Sequence, residues 1–409
     1  MFAPLLATLT LALLCTSSPV LIRENPVKLT LARHFNFTGS AKIIEADQAR
    51  ARALKTRTHV PPAQFGAAAN AASSGPLTNT AVTYTAEVLV GSPATTYNLI
   101  VDTGSSNTWV GADPSKPYVP TPPSEDTGEE VFVEYGSGLF IGEEWLDTIS
   151  FAGITIPDQS IGASELAFGF NGVDGILGIG PTDLTQGTTS SGNLVPTVID
   201  TAFTLNLIPN KQVGVSFEPT NTAGAVNGEL TLGGADASKF TSALHSVPLT
   251  TTSPASLYFG VDQSVTYGGE SILESTAGIV DTGTTLVLIA SDAFARYQTA
   301  TGGVSDADTG LLSITPAQFA ALQNLDFNIG GQTFSLTPNA QIWPRALNTA
   351  IGGTADSIYL IVGDIGSNTG AGLDFINGYA FLERFYSVFD SGAGTVSFAE
   401  TAFTGATSN

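Results

Sequence analysis

Two apolar runs in this chain each end in an aspartate, and this repeated pattern constrains the fold more than any other feature. Residues 98–101 lead into Asp102 and residues 278–280 lead into Asp281, and each aspartate is followed by Thr-Gly and further hydroxyl residues. Runs of this kind are typical of buried strands, which deliver a terminal carboxylate into the protein interior. Charged groups are rarely buried without a partner or a task. We therefore expect Asp102 and Asp281 to be each other's partners.

Two further Asp-Thr-Gly triplets serve as internal controls. Asp126 follows a Pro-Pro-Ser-Glu stretch and precedes two glutamates, whereas Asp308 follows Ser-Asp-Ala. Both lie in polar, turn-forming surroundings, which predicts surface loops. The triplet alone therefore says little about function. The apolar residues that precede Asp102 and Asp281 are what indicate a buried carboxylate.

Composition favours an all-β protein with two lobes. The chain has 409 residues, enough for two compact cores, and its 44 glycines punctuate short apolar runs throughout. Both lobes carry an Asp-x-Ile-x-Gly motif downstream of their triplet, at 174–178 and 374–378, which indicates a diverged internal repeat. The pattern predicts few helices, with candidates at 194–204, 291–300 and 316–324, the last capped by Thr315.

Charge divides the chain into unlike parts. We predict a secretory signal peptide at 1–18, a basic segment at 19–70, and two lobes at 71–240 and 241–409. Up to residue 70 there are eight basic and three acidic residues, a net charge of +5, and the remainder has six basic and 33 acidic residues, a net charge of −27. A body this acidic repels nucleic acid and anionic membranes and is relieved when its carboxylates protonate. We expect a secreted, extracellular monomer that works in acid.

Cysteine and histidine are too scarce for several kinds of chemistry. The only cysteine, Cys15, falls in the predicted signal peptide, and the chain has three histidines in all. A mature protein without cysteine has no disulfide and no thiol chemistry. We therefore expect no metal site and no cofactor.

Paired carboxylates have a chemistry of their own. Two carboxylates about 3 Å apart share one proton, so one can deprotonate a bound water while the other protonates a substrate carbonyl. Hydroxyl groups of Ser105 and Thr284 are placed to bond the outer carboxylate oxygens. We also expect two threonines to tie the turns together and two glycines to allow their close approach. These supporting residues are Thr103, Gly104, Thr282 and Gly283.

The residues 101–109 and 279–285 resemble the two active-site motifs of the pepsin family of aspartic peptidases, the standard example of a proton-sharing carboxylate pair. Within the family the chain is most like secreted basidiomycete enzymes of the polyporopepsin type. The resemblance implies a bilobal pepsin-like fold with the active-site cleft between two β-rich lobes. It also implies a flap hairpin at Tyr135, Gly136 and Ser137, whose tyrosine hydroxyl bonds the indole of Trp109. Tyr379 and Glu383 depart from the family pattern, which leaves the salt links around them open.

The resemblance also implies how substrates and the basic segment bind. Thr285 is expected to contact substrate, and four apolar residues are expected to favour bulky hydrophobic side chains beside the scissile bond. These four residues are Ile100, Phe168, Phe170 and Ile176. The basic segment resembles a family propeptide, in which one basic residue blocks the carboxylates, and Lys55 is the first candidate, with Arg52 or Arg57 as alternatives.

The sequence thus predicts a secreted, acid-active aspartic endopeptidase that is made as a zymogen, acts on proteins and peptides, and is inhibited by pepstatin. One alternative is a catalytically silent binding or inhibitor protein of the same fold, although neither motif nor flap is damaged. Another is a carbohydrate-active enzyme using Asp102 and Asp281 as acid and nucleophile, for which three tryptophans offer few sugar platforms.

Overall fold

The computed structural model describes residues 26–35, 42–56, 82–136 and 138–409. Two elements come from the predicted basic segment, strand β1 (Val27–Phe35) and helix α1 (Ile43–Thr56). The predicted signal peptide lies outside the described residues. Both described stretches of the basic segment, 26–35 and 42–56, pack against the body of the protein.

The next part of the chain is built almost entirely of strands. They are β2 (Val82–Val90), β3 (Thr95–Asp102), β4 (Trp109–Val110), β5 (Glu125–Tyr135), β6 (Gly138–Phe151), β7 (Ile154–Phe168), β8 (Gly175–Gly178), β9 (Gln212–Phe217) and β10 (Val226–Leu232). One helix, α2 (Val198–Thr204), and a 3₁₀ turn at Thr182–Thr185 interrupt them.

The remaining chain has the same character with shorter elements. Its strands are β11 (His245–Pro248), β12 (Gly260–Tyr267), β13 (Glu270–Val280), β14 (Val287–Ile289), β15 (Val304–Ser305), β16 (Leu312–Ile314), β17 (Leu325–Ile329), β18 (Gln332–Leu336), β19 (Ile358–Tyr359), β20 (Val362–Asp364), β21 (Phe375–Asn377), β22 (Phe385–Asp390) and β23 (Thr395–Glu400). Its helices are α3 (Ser291–Thr301), α4 (Pro316–Ala321) and α5 (Tyr379–Leu382). Three 3₁₀ turns lie at Ala255–Leu257, Asn339–Gln341 and Arg345–Ile351.

Three sheets organise these strands. A 13-stranded sheet has the order β11-β23-β22-β9-β10-β1-β2-β3-β8-β4-β7-β6-β5, a seven-stranded sheet has the order β18-β17-β12-β13-β21-β14-β20, and a small sheet has the order β15-β16-β19. The large sheet joins β22 and β23, from the end of the chain, to strands of its first half. Strand β1 of the basic segment lies in the middle of this sheet, between β10 and β2, with antiparallel pairing to both.

The two Asp-Thr-Gly strands have equivalent surroundings. Strand β3 pairs in parallel with β8, and β13 pairs in parallel with β21, so each meets the Asp-x-Ile-x-Gly motif of its own half. Each motif strand then pairs antiparallel with a short strand, β4 or β14. This repeated arrangement supports the interpretation of an internal duplication, and it explains why each aspartate emerges at the end of a buried strand.

The helix predictions were partly right. The candidate at 291–300 matches α3, and Thr315 caps α4 through a capping box with Gln318, as the sequence indicated. The prediction of a helix at 194–204 placed its start four residues too early, because Thr197 and Asp200 form a capping box that begins α2 at Val198. The sequence did not predict α1 or α5.

The control triplets lie at the surface, although only one is a turn. Asp308 is exposed in a turn, with its N–H donated to Asp306. Asp126 is exposed but belongs to β5, where the register shifts before Glu129 and Gly128 takes a left-handed φ of 71°. The prediction of a loop at Asp126 was therefore wrong, because a bulge accommodates this turn-like sequence within the strand.

The buried carboxyl group of Glu144 on β6 should make the stability of the protein depend on pH. Glu144 is 3% exposed, its Oε1 accepts a hydrogen bond from Ser160, and its Oε2 has no hydrogen-bond partner among the described residues. Burial raises the pKa of Glu144 from 4.5 to about 7; the nearby Glu129 adds to the rise and the Ser160 bond opposes it. The folded protein therefore keeps a proton that the unfolded chain releases. This stabilisation is complete below pH 4.5 and is lost as the pH rises to about 7.

We expect Glu144→Gln to weaken the loss of stability between pH 4.5 and 7.5 by on the order of 3 kcal/mol, because it keeps the shape and removes the titration. Thermal unfolding of the full chain across this pH range measures the effect. Glu143→Gln, at the exposed neighbouring position, is the matched control. Parallel pH profiles for Glu144→Gln and the unchanged protein would contradict the prediction.

Candidate active site

Asp102 and Asp281 meet in the interior, each held by the hydroxyl group that the sequence pointed to. Both carboxyl groups are buried, at 1% and 0% exposure. Ser105 Oγ donates to Asp102 Oδ2 at 2.5 Å, and Thr284 Oγ1 donates to Asp281 Oδ2 at 2.5 Å. The inner Oδ1 atoms accept main-chain N–H groups from Gly104, at 2.9 Å, and Gly283, at 3.1 Å. The two carboxyl groups are therefore oriented in the same way.

Two threonines join the two Asp-Thr-Gly turns by reciprocal hydrogen bonds. The N–H of Thr103 donates to Thr282 Oγ1 at 3.0 Å, and the N–H of Thr282 donates to Thr103 Oγ1 at 3.0 Å. Thr282 Oγ1 also donates to the carbonyl of Val101 at 2.9 Å. This reciprocal pair fixes the separation of the two strand ends, so it also fixes the geometry of the carboxyl groups.

Glycine is required in both turns by the close approach of the opposite carboxyl group. A Cβ atom at Gly104 would lie 2.7 Å from Asp281 Oδ1, and one at Gly283 would lie 2.6 Å from Asp102 Oδ1. Real Cβ atoms do not approach this closely, so any side chain here would push the two aspartates apart. The expected role of both glycines agrees with this geometry.

A single guanidinium group from α1 occupies the space between the carboxyl groups. Arg50 Nη2 donates to Asp102 Oδ1 at 2.5 Å and to Asp281 Oδ1 at 3.0 Å, and Arg50 Nε donates to Asp281 Oδ2 at 2.7 Å. One nitrogen thus contacts both aspartates, and the arginine side chain is itself buried. Because water or a substrate carbonyl would need this same space, the site is closed while α1 is in place.

The protonation of the pair follows from this contact. Burial alone would raise the pKa of Asp281, but Arg50, Thr284 and Gly283 together hold it below its ordinary value. Burial raises the pKa of Asp102 despite the opposing pull of Arg50. Burial alone would lower the pKa of the Arg50 guanidinium. The two carboxylates more than offset this effect and raise it. Burial thus favours the protonated form of both aspartates, and Arg50 favours the ionised form of both.

The structure corrects the expected blocking residue. Lys55 Nζ bonds Ser367 Oγ instead of the aspartates, and Arg52 is exposed. Arg57 lies outside the described residues. Helical geometry explains the correction, because Arg50 shares the buried face of α1 with Asp47 and Leu54, whereas Arg52 and Lys55 are turned away from it. That spacing of three and four residues was the available sequence signal.

The flap closes over α1 at its tip. Strands β5 and β6 form the hairpin, and a Cβ atom at Gly136 would collide with the main chain of Ala49 and Arg50. The expected hydrogen bond from Trp109 Nε1 to Tyr135 Oη is present at 2.9 Å. Ser137, the remaining flap residue of the prediction, lies outside the described residues.

We expect Tyr135→Phe to lower the melting temperature of the full chain by about 1–4 °C. The substitution removes the acceptor of the fully buried Trp109 indole N–H. Leaving such a donor unpaired costs roughly 1–3 kcal/mol. Calorimetry at fixed pH measures the change. An unaltered melting temperature would show that this hydrogen bond contributes nothing net to the fold.

Three of the four expected apolar pocket residues pack behind the flap, and Phe168 does not. Ile100, Phe170 and Ile176 pack in one core cluster with Trp109 and Tyr135. Phe170 meets both aromatic rings edge-on, at 4.9 and 5.4 Å between centroids, whereas Phe168 is half-buried outside the cluster.

A cavity of about 150 Å³ lies between α1 and the flap. Its walls, beyond α1 itself, come from the turn after Asp102, the flap strand, the 186–188 segment and one tyrosine. These residues are Gly104, Ser105, Phe132, Val133, Glu134, Tyr135, Gly136, Gln186, Gly187, Thr188 and Tyr258. None of the four expected pocket residues lines it. Gln186–Thr188 and Tyr258 were not singled out from the sequence.

The two departures from the family pattern form one buried cluster with the basic segment. Arg33 of β1 pairs with Glu383 Oε1 at 3.2 Å and donates to Tyr379 Oη at 2.8 Å. Tyr84 Oη donates to the same Glu383 oxygen at 3.2 Å. Burial raises the pKa of Glu383, and Arg33 counters that rise. The unusual residues are therefore satisfied by a cation that the basic segment brings.

Within the described stretches, no cluster of three or more histidine, cysteine, aspartate or glutamate side chains is arranged to bind a metal ion. Across those same stretches, no helix has both the length and the apolar character needed to cross a membrane.

Comparison with known proteins identifies the family. The family model described as "Eukaryotic aspartyl protease" matches residues 83–401. Polyporopepsin from Irpex lacteus is 60% identical over 342 residues, which cover 83% of this chain and 100% of the relative. Rhizopuspepsin-1 from Rhizopus niveus is 30% identical over 356 residues, covering 83% of this chain and 87% of the relative. The crystal structure of an aspartic proteinase from Irpex lacteus superposes with a TM-score of 0.78 at 60% identity, covering 80% of this chain and 96% of that one.

The chain therefore belongs to the pepsin family of eukaryotic aspartic peptidases, with the bilobal fold of that family. It is an aspartic endopeptidase, a hydrolase that acts on peptide bonds in proteins and peptides. The predictions of family, fold class and enzyme type are confirmed.

Proposed function

We propose that this protein is a secreted, acid-active endopeptidase made as a zymogen. Residues 1–18 direct secretion, residues 19–70 form the activation segment, and the lobes 71–240 and 241–409 carry one catalytic aspartate each. The observation that carries the proposal is the contact of one Arg50 nitrogen with both Asp102 and Asp281. A group that touches both carboxyl groups identifies them as one site and at the same time blocks it.

We assign catalysis to the pair Asp102 and Asp281, called the dyad below, after Arg50 has left the site. Asp102 and Asp281 then share a proton and hold a water molecule between them. The ionised carboxylate takes a proton from this water, and the protonated partner donates to the substrate carbonyl. Hydroxyl donors at Ser105 and Thr284 and the main-chain donors at Gly104 and Gly283 keep both groups oriented. The reaction is direct hydrolysis without a covalent intermediate.

Latency is assigned to β1 and α1 together. Strand β1 is paired on both sides within the large sheet, and its Arg33 is buried against Glu383. Helix α1 lies between the flap and the dyad, with Tyr258 Oη donating to the Leu54 carbonyl at 2.9 Å. The Irpex lacteus relative aligns over its whole length with 83% of this chain, and the family model begins only at residue 83. The family model thus matches the lobes and not the segment before them, which supports a separate role for that segment.

Acid is the proposed trigger for release. Arg50 lowers the proton affinity of both aspartates, and Arg33 lowers that of Glu383, so all three bind protons more readily once the segment has left. Docking through these groups is therefore favoured above the ordinary carboxyl range and is lost as the pH falls. Asp47 acts in the opposite sense, because burial raises its pKa to about 7 in the docked state. The net charges of +5 and −27 add a long-range attraction that weakens in acid.

Hydrolysis of a denatured protein substrate at pH 3 and at pH 7, with and without pepstatin, tests the proposal. We expect cleavage at pH 3 that pepstatin abolishes, and little cleavage by the freshly made full chain at pH 7. Cleavage that resists pepstatin, or equal activity of the fresh full chain at both pH values, would contradict the assignment.

A further inference from the structure

Glu134 places a carboxyl group on the side of the flap that faces the cavity. Side chains alternate along strand β5, so Glu134 points away from Tyr135, which packs with Trp109 in the core cluster. Glu134 is exposed and lines the cavity between α1 and the flap. Within the described parts of the chain, none of the ion pairs includes Glu134. Its carboxyl group is therefore available to a ligand that enters this cavity.

The charge of the cavity walls depends on whether α1 is present. Among the described residues that line the cavity, only Arg50 and Glu134 carry a charge. Arg50 belongs to α1 and departs with it. Tyr135 and Tyr258 are the other ionisable wall residues, and tyrosine is neutral in acid. Removal of α1 therefore leaves one described wall residue with a charge, and that charge is negative.

The same cavity lies beside the dyad. Its wall includes Ser105, whose hydroxyl group bonds Asp102 at 2.5 Å. Helix α1 closes the opposite side with three uncharged residues, Ala53, Leu54 and Thr56. Once α1 has left, a peptide with its scissile bond at the dyad can place a neighbouring side chain in this space, in front of the flap carboxyl group.

We propose that in the processed enzyme Glu134 selects a lysine or arginine side chain at one substrate position near the scissile bond. The inference deepens the proposed function and rests on it, since it requires that α1 be removed and a peptide take its place. Selectivity for positive charge is then confined to that one position of the substrate.

A basic side chain matches these walls in both shape and charge. Lysine and arginine carry a charged head on an apolar stem. Phe132 and Val133 line the same cavity and offer apolar surface to the stem, while the carboxylate of Glu134 accepts hydrogen bonds from the head. A methionine of similar length keeps the contacts of the stem and loses the ion pair, and a glutamate is repelled.

Matched peptides test this selection in the acid-processed enzyme. Each series keeps one apolar scissile pair and places Lys, Met or Glu in turn at each nearby position, and kcat/KM is measured at pH 5.5 and pH 3. We expect one position at which Lys exceeds Met by about three- to tenfold at pH 5.5. The ratio should fall toward one at pH 3, where a glutamate in water is mostly protonated.

The possible failures of this experiment are distinguishable. Lys-to-Met ratios within twofold at every position at pH 5.5, with the Met peptides still cleaved, overturn the selection by Glu134 and leave the proposed function intact. Failure of the acid-treated chain to cleave any peptide overturns the proposed function, and the selection with it.

Two variants separate a local contact from the attraction of the acidic body for any cation. Glu134→Gln keeps the shape of the side chain and removes its charge, so the Lys-to-Met ratio should fall to about one. Glu130→Gln is the matched control, because Glu130 is exposed on the same face of β5, lies outside the cavity lining and changes the net charge equally. This control should keep the ratio of the unchanged enzyme. A ratio that persists in Glu134→Gln, or that falls equally in both variants, would contradict the assignment.

Discussion

Asp102→Asn and Asp281→Asn are each expected to lower peptide hydrolysis by at least about 10³-fold. Each substitution preserves the shape of the side chain but removes one of the two groups that exchange protons with water and substrate. Ser105 and Thr284 would still hold the remaining carboxyl in place. The loss therefore reports proton transfer rather than a rearranged site. Activity toward a peptide substrate at pH 3 is the measurement.

The chain supplies its own controls for this experiment. Asp126 and Asp308 precede the same Thr-Gly dipeptide, but both are exposed, whereas Asp102 and Asp281 are buried. Asp126→Asn and Asp308→Asn should keep full activity and should still shorten in acid. The two dyad variants should stay full length, because self-processing needs the same active site. Substantial activity in either dyad variant would contradict the shared-site account.

Arg50→Met is expected to weaken the docking of α1 by about 100-fold or more. The substitution keeps most of the apolar stem and removes a buried cation that contacts both aspartates. Removing one partner of a buried ion pair costs about 3–5 kcal/mol, and each 1.4 kcal/mol is tenfold in an equilibrium constant. The dyad recovers part of this cost by sharing a proton. We therefore expect the fresh full chain of this variant to hydrolyse peptides at pH 5–6, where the unchanged chain stays silent.

Lys55→Met is the matched control for the Arg50 variant. Lys55 lies on the same helix and bonds the hydroxyl of Ser367, and burial lowers its pKa. Its loss should change latency by no more than a few-fold. If Lys55→Met released activity and Arg50→Met did not, the sequence-based choice of Lys55 would be restored and the present account would be wrong. The rate of peptide cleavage immediately after dilution into pH 5.5 buffer separates the two.

The dyad and its supports were accessible from the sequence because their signals are local. A buried strand, a carboxylate and a glycine turn are adjacent in the chain, so the sequence alone assigns Asp102, Ser105, Asp281 and Thr284. The bond between Trp109 and Tyr135 followed from the family resemblance. These predictions needed only short-range patterns and a matched second copy.

The parts that were missed depend on tertiary contacts. Helix α1 has only 14 residues, and isolated helices of that length are marginal in water, so its stability comes from packing in the cleft. Arg50 is one of eight basic residues before residue 71. In the sequence, only its helical spacing from Asp47 and Leu54 sets it apart from the others. Strand β1 was missed for the same reason, since both of its sheet partners are distant in sequence.

The central claim is that one active site, formed by Asp102 and Asp281, is held silent by Arg50 until acid releases the basic segment. A time course of the purified full chain at pH 3, following chain length, N-terminal sequence and peptide hydrolysis together, tests it most directly. The account predicts that activity rises in step with loss of the residues before the lobes, and that pepstatin stops both. Full activity of a chain that keeps residues 42–56 in place throughout would contradict it.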